Sequence, residues 1–176
     1  MPVIESKIMI NSESFKKNQE DHQKLVDEIR SLEQKIADNS ARSKEKFDKR
    51  GQLLPRERLK RLLDPGSFWL PLSTLAGYKI GDDDGEKNIG WGNSISGIGY
   101  VAGVRCMVGV SDAGIKGGSA SAMGTEKALR GAQIIFENKL PFIQLIESAG
   151  ANLLRQTDMF INCLLYTSDA ADDIPR

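Results

Sequence analysis

The 176-residue chain has few thiols, imidazoles and aromatic rings. Its two cysteines, Cys106 and Cys163, are too few and too far apart to make a zinc-ligand spacing or a disulfide framework, which points to a reducing, intracellular setting. The single histidine, His22, falls in a polar, charged stretch and reads as a solvated imidazole rather than a general base. No run approaches the roughly 20 apolar residues that a bilayer-spanning helix needs. The first ten residues include Glu5 and show no basic start leading into an apolar core, so a secretory leader is not expected. A surplus of one charge is missing as well: 24 basic residues balance 24 acidic ones. That removes the excess of lysine and arginine that nucleic-acid or anionic-membrane binding requires. What remains is an ordinary globular composition, 40% hydrophobic and 27% charged, in a chain long enough to bury a core.

Charge is distributed unevenly. Residues 11–50 are dense in Lys, Glu, Asp, Gln and Arg, with a thin apolar stripe of Leu25, Ile29, Leu32 and Ile36. Spacings of four, three and four put these side chains on one helical face, and the stripe is too short for a coiled coil. A solvated helix lying on a larger body is expected. A second helix should begin at Pro55, whose missing N–H costs nothing in a first turn. It should pack Leu59, Leu62 and Leu63 inward and stop at Asp64-Pro65-Gly66. Residues 76–92 hold five glycines and the run Asp82-Asp83-Asp84, which reads as a solvated loop rather than a metal site.

From residue 94 the apolar period changes. Ile95, Ile98 and Tyr100, then Val104, Met107, Val108 and Val110, flank Ala102-Gly103 and predict two strands joined by a two-residue turn. A Gly-rich loop follows, then a helix from about Thr125 to Asn138 with Ala128, Leu129, Ala132, Ile134 and Ile135 facing inward. A short strand at residues 142–146 and the loop Glu147-Ser148-Ala149-Gly150-Ala151 complete a β-α-β rhythm, so the expected class is α/β with helices covering a sheet. The two small-residue loops, residues 117–124 and 148–151, are the candidate site. Small residues let a ligand approach the backbone, and α/β sheets place ligands at strand ends. The alternative is that both are only tight turns.

Several ordered motifs extend this reading. Residues 50–59 (RGQLLPRERL) and 63–68 (LDPGSF), then Gly97-Ile98-Gly99-Tyr100-Val101-Ala102-Gly103, Lys116-Gly117-Gly118-Ser119, Leu140-Pro141-Phe142 and Glu147-Ser148-Ala149-Gly150-Ala151-Asn152-Leu153, resemble carboxyltransferase β subunits of biotin-dependent acyl-CoA carboxylases. These are the methylcrotonyl-, geranyl- and propionyl-CoA carboxylase type. Residues 154–160 (LRQTDMF) lean toward the methylcrotonyl and geranyl branch. The resemblance covers residues 46–160. It implies a crotonase-like α/β fold, with acyl-CoA as substrate and with biotin, carboxylated on a separate carrier domain, as cofactor. It further implies a biotin carboxylase and carrier subunit as partner, a homo-oligomer of the full-length subunit, and a cytoplasmic location, or the mitochondrial matrix in a eukaryote. Backbone amides of Ala149, Gly150 and Ala151 would hold the oxygen of the thioester enolate. Gly117, Gly118 and Ser148 would line the acyl-CoA channel. Lys127 and Arg130, read as helix-surface cations, are candidates for CoA phosphates, the alternative being that they only meet solvent. No metal is implied. Ala149 stands where the family usually has glycine.

The resemblance stops after Phe160. Residues 163–172 (CLLYTSDAAD) match a translation of a transposon-based sequencing adaptor, so residues 163–176 are expected not to be native. The expected organisation is a charged helical extension over 1–45, a partial carboxyltransferase N-terminal domain over 46–162, and this tail. A fragment of that kind would be inactive alone. Two other readings remain: the carboxyltransferase subunit of a biotin-dependent decarboxylase, and a non-catalytic oligomerisation module built on the N-terminal helix.

Overall fold

A computed structural model of the chain describes residues 6–81, 83–86, 90 and 92–150. The chain divides between Gln34 and Lys35 into two compact units. Helix α1 spans Glu13–Ala41. Ser12 caps it: its Oγ accepts the Phe15 N–H at 3.2 Å and its carbonyl the Lys16 N–H at 3.1 Å. Exposed pairs such as Lys16–Glu13 and Lys24–Asp21, both 3.0 Å, line the helix in the first unit. The expected stripe is helical throughout but unequally used, for Leu25 and Ile29 are 60% and 44% exposed, whereas Ile36 is 1% exposed and joins the core of the second unit.

In that second unit, α1 is followed by a short helix, α2 (Lys44–Lys49), and by α3 (Pro55–Leu62), which starts on its proline as expected. The Glu57 carboxylate accepts the Leu54 N–H at 3.2 Å, satisfying one donor at the α3 entrance. Leu59 is buried, and Leu62 and Leu63 pack against the same core. Asp64 does more than stop the helix. Its two carboxylate oxygens accept the N–H groups of Ala102 and Gly103, each at 2.8 Å. Those two residues are the turn between β2 (Ser94–Val101) and β3 (Val104–Ser111). With φ of 51° and 76°, both are left-handed, as a two-residue hairpin turn demands.

The sheet runs β1-β2-β3-β4, where β1 is the two-residue strand Leu70–Pro71 and β4 is Phe142–Leu145. The first two pairings are antiparallel; β3 and β4 are parallel, with Val108 opposite Ile143 and Val110 opposite Leu145. Strand β3 is central and carries Cys106, Val108 and Val110 at 1% exposure or less. Gly97 and Gly99 leave room for the Trp69 ring: a β-carbon on Gly97 would come within 2.5 Å of it, and one on Gly99 within 2.9 Å. The loop after β1 is organised by Asp83, whose carboxylate accepts the N–H groups of Lys79, Gly85 and Gly90. It is therefore hydrogen-bonded rather than simply solvated, and the described residues hold no metal-binding cluster.

Helix α4 (Ala122–Asn138) connects β3 to β4, which makes the expected β-α-β unit. It begins three residues earlier than the apolar period suggests, because Ser121 caps it by accepting the Gly124 N–H at 3.1 Å. Its inward face also differs. Ala128 and Ala132 are exposed, while Lys127 is buried and Leu129, Gly131, Ile134 and Ile135 are half-buried. No helix among the described residues is long and apolar enough to cross a membrane.

Candidate active site

The carboxyl ends of β3 and β4 lie side by side because the strands are parallel neighbours. The first loop leaves β3 at Asp112, which is fully buried. The Asp112 carboxylate accepts the Ser40 hydroxyl at 2.6 Å and the Gly114 N–H at 3.1 Å. Ser43 donates to the Gly114 carbonyl at 2.9 Å, so the end of α1 and the residues after it brace this loop. On its other side, Asn93 Nδ2 donates to the Ser119 carbonyl at 2.7 Å, and the Asn93 carbonyl accepts the Asp112 N–H at 2.9 Å. Between these braces, Lys116, Gly117 and Gly118 are all left-handed, with φ of 45°, 66° and 67°. A β-carbon on Gly118 would collide with the Glu147 carbonyl oxygen. The glycine is thus required both by the turn and by the close approach of the second loop.

The second loop follows β4. Ala149 N–H donates to the Gly117 carbonyl at 3.0 Å, and Ala120 N–H donates to the Gly150 carbonyl at 2.9 Å. These two backbone bonds join the loops that the sequence singled out separately. Gly150, at φ 103°, turns its N–H onto its own neighbour, the Ser148 hydroxyl, at 3.1 Å. The nominated amides are therefore not equivalent. The Ala149 amide is committed to the other loop's backbone. The Gly150 amide is held by a rotatable side-chain hydroxyl. Ala151 lies outside the described residues. Ser148, Ala149, Gly150 and Gly117 are exposed, and Gly118 is buried.

The two cations on α4 separate. Arg130 is exposed and donates to Gln133 Oε1 at 2.7 Å. Lys127 is not on the surface: it is 6% exposed and its ammonium donates to the Ser94 carbonyl at 2.7 Å, at the start of β2. Burial lowers its pKa from 10.5 to about 8, an effect opposed by the attraction of Asp112. The expectation of a surface cation fails here because the helix turns this side chain toward the sheet. Asp112, Asn93 and Ser40 also brace the site without being singled out by the sequence pattern. A carboxylate placed directly between an apolar strand and a Gly-rich loop was the available signal for Asp112.

Two backbone-lined loops, joined to each other at the carboxyl ends of parallel strands, define an α/β protein with its candidate site at the strand ends. Comparison with known proteins makes that class specific. The family model described as the carboxyl transferase domain matches residues 46–173, and the chain belongs to that family. The match includes residues 163–173, which lie outside the described structure. The chain is 39% identical to a probable mitochondrial methylcrotonoyl-CoA carboxylase beta chain of Drosophila melanogaster, over 90% of this chain and 27% of that one. It is 40% identical to a biotin-dependent 3-methylcrotonyl-coenzyme A carboxylase beta1 subunit of Mycobacterium tuberculosis, over 80% of this chain and 26% of that one. The geranyl-CoA carboxylase beta subunit of P. aeruginosa superposes with a TM-score of 0.82 at 47% identity, over 97% of this chain and 32% of that one. The fold is therefore that of a carboxyltransferase, crotonase-like domain, and the chain spans about a quarter of the length of the curated relatives it matches.

Proposed function

We propose that this chain is the acyl-CoA-binding portion of a carboxyltransferase subunit of the methylcrotonyl- and geranyl-CoA carboxylase type. The supporting observation is the joining of residues 116–120 to residues 147–150 by two backbone hydrogen bonds at the ends of β3 and β4. In this reading the thioester oxygen displaces the Ser148 hydroxyl from the Gly150 N–H. Fixed backbone donors stabilise an enolate without reorganising as charge develops. Ala149 acts differently, holding the loops in register through Gly117. Gly118 lets the second loop approach, and the exposed Arg130 remains available to a CoA phosphate. Lys127 instead supports the site from within.

Carboxybiotin, delivered on a separate carrier by a biotin carboxylase partner, supplies the carboxyl group. No described residue is assigned to hold it, and the full reaction belongs to a longer subunit assembled as a homo-oligomer. The tail from Cys163 stands outside this reading, as translated adaptor; sequencing source DNA across the codons for Phe160 to Arg176 tests that directly.

Calorimetric titration of the 176-residue chain with 3-methylcrotonyl-CoA and with free CoA tests the proposal. The thioester should bind about tenfold tighter, the equivalent of one good hydrogen bond to the acyl oxygen. Equal affinity for the two ligands would remove the role of the amides.

A further inference from the structure

Among the described residues, the loop that carries the candidate amides is tied to the rest of the unit by one side-chain ion pair, between Arg58 and Glu147. Arg58 Nη2 lies 3.0 Å from Glu147 Oε2 and also donates to the carbonyl of Ser111, the last residue of β3, at 3.4 Å. One guanidinium therefore reaches the carboxyl ends of both β3 and β4. Glu147 is itself a junction, since its backbone carbonyl is the atom against which a β-carbon on Gly118 would collide. The arginine is delivered by α3, whose own position is fixed by buried Pro55 and Leu59. Both side chains are mostly covered, at 22% and 24% exposure, where a pair is screened less than at an open surface.

We propose that Arg58 and Glu147 are positioning residues that set the register of the two loops and so the direction of the Gly150 amide, a role that rests on the acyl-CoA reading above only for its consequence in binding. Without the pair, two backbone bonds still join the loops to each other. Nothing described then anchors the second loop's side chains to the helical side of the unit. The strut passes from the core through α3 to the guanidinium, and from there to the residue preceding Ser148.

Hydrogen exchange on the 176-residue chain separates this role from general stability. Compared with the unaltered chain, Arg58→Gln and Glu147→Gln should each speed exchange about tenfold over residues 113–121 and 145–150, and leave the hairpin at 94–111 unchanged. The double substitution should add little to either single one, because both remove the same interaction. Arg58→Lys, which keeps the charge and loses the fork, should recover part of the protection. Equal acceleration in hairpin and loops, strictly additive effects, or loops that do not respond would each overturn the proposal. Titrating the same variants with 3-methylcrotonyl-CoA and free CoA tests the consequence. Loss of the thioester preference should accompany loss of loop protection. An unaltered chain that binds neither ligand, while its loops still respond to the substitutions, would contradict the acyl-CoA reading and leave the positioning role standing.

Discussion

Residues 13–34 and residues 35–41 belong to one continuous helix and carry one continuous apolar stripe, yet they differ in what the stripe does. Leu25 and Ile29 stay 60% and 44% exposed, and the ties around them are exposed pairs three or four residues apart, worth only tenths of a kcal/mol each. Ile36 is 1% exposed among Leu59, Ile95, Val108 and Val110, and one turn later Ser40 is bonded to a fully buried Asp112. Helical spacing says which residues share a face. Burial comes from the surface that face meets, and here only the end of α1 belongs to the unit with a sheet.

Substitutions sharpen that contrast. Gly97→Ala should have the largest effect, a loss of about 3 kcal/mol or more, because the new methyl meets the Leu70 carbonyl and the Trp69 ring with no free space. Ile36→Ala should cost about 3 kcal/mol through lost burial and the cavity left behind, read as a shift in the urea midpoint. Asp64→Ala removes the acceptor of two turn N–H groups and should cost about 1–2 kcal/mol in the same experiment, less than Ile36→Ala because those groups can reach water. Leu25→Ala should change stability by no more than about 0.5 kcal/mol. A cost for Leu25→Ala equal to that for Ile36→Ala would break the comparison.

Lys127 adds a pH signature to the second unit. Its folded pKa, about 8, lies below its ordinary value of 10.5, so the unfolded chain binds more protons between those values. Stability should therefore rise as pH increases from about 8 to 10.5, and Lys127→Met should remove that increment. Thermal melts of the two proteins across this window check it; identical pH profiles would contradict the buried ammonium.

Patterns in the sequence made the hairpin, α3 and the β3-α4-β4 unit legible, because each carries a local signal: alternation around Ala102-Gly103, a proline start, a Gly-rich exit. The two candidate loops were legible for the same reason. Their mutual bonding was not, since Ala149 meets Gly117 only through the parallel pairing of β3 and β4. Nor was the inward turn of Lys127. Periodicity favours the apolar neighbours Ala128 and Ala132, while the structure satisfies an ammonium on the Ser94 carbonyl instead. Asp64, Asp112 and Arg58 were hidden likewise, because each acts on residues far along the chain.

The central claim is that the joined loops receive an acyl-CoA thioester on their amides. Amide ¹H–¹⁵N spectra of the 176-residue chain, recorded with and without 3-methylcrotonyl-CoA, test it most directly. Shifts should be concentrated in residues 116–121 and 148–151, largest at Gly150. No shifts at saturating ligand, or shifts concentrated in residues 13–34, would contradict it.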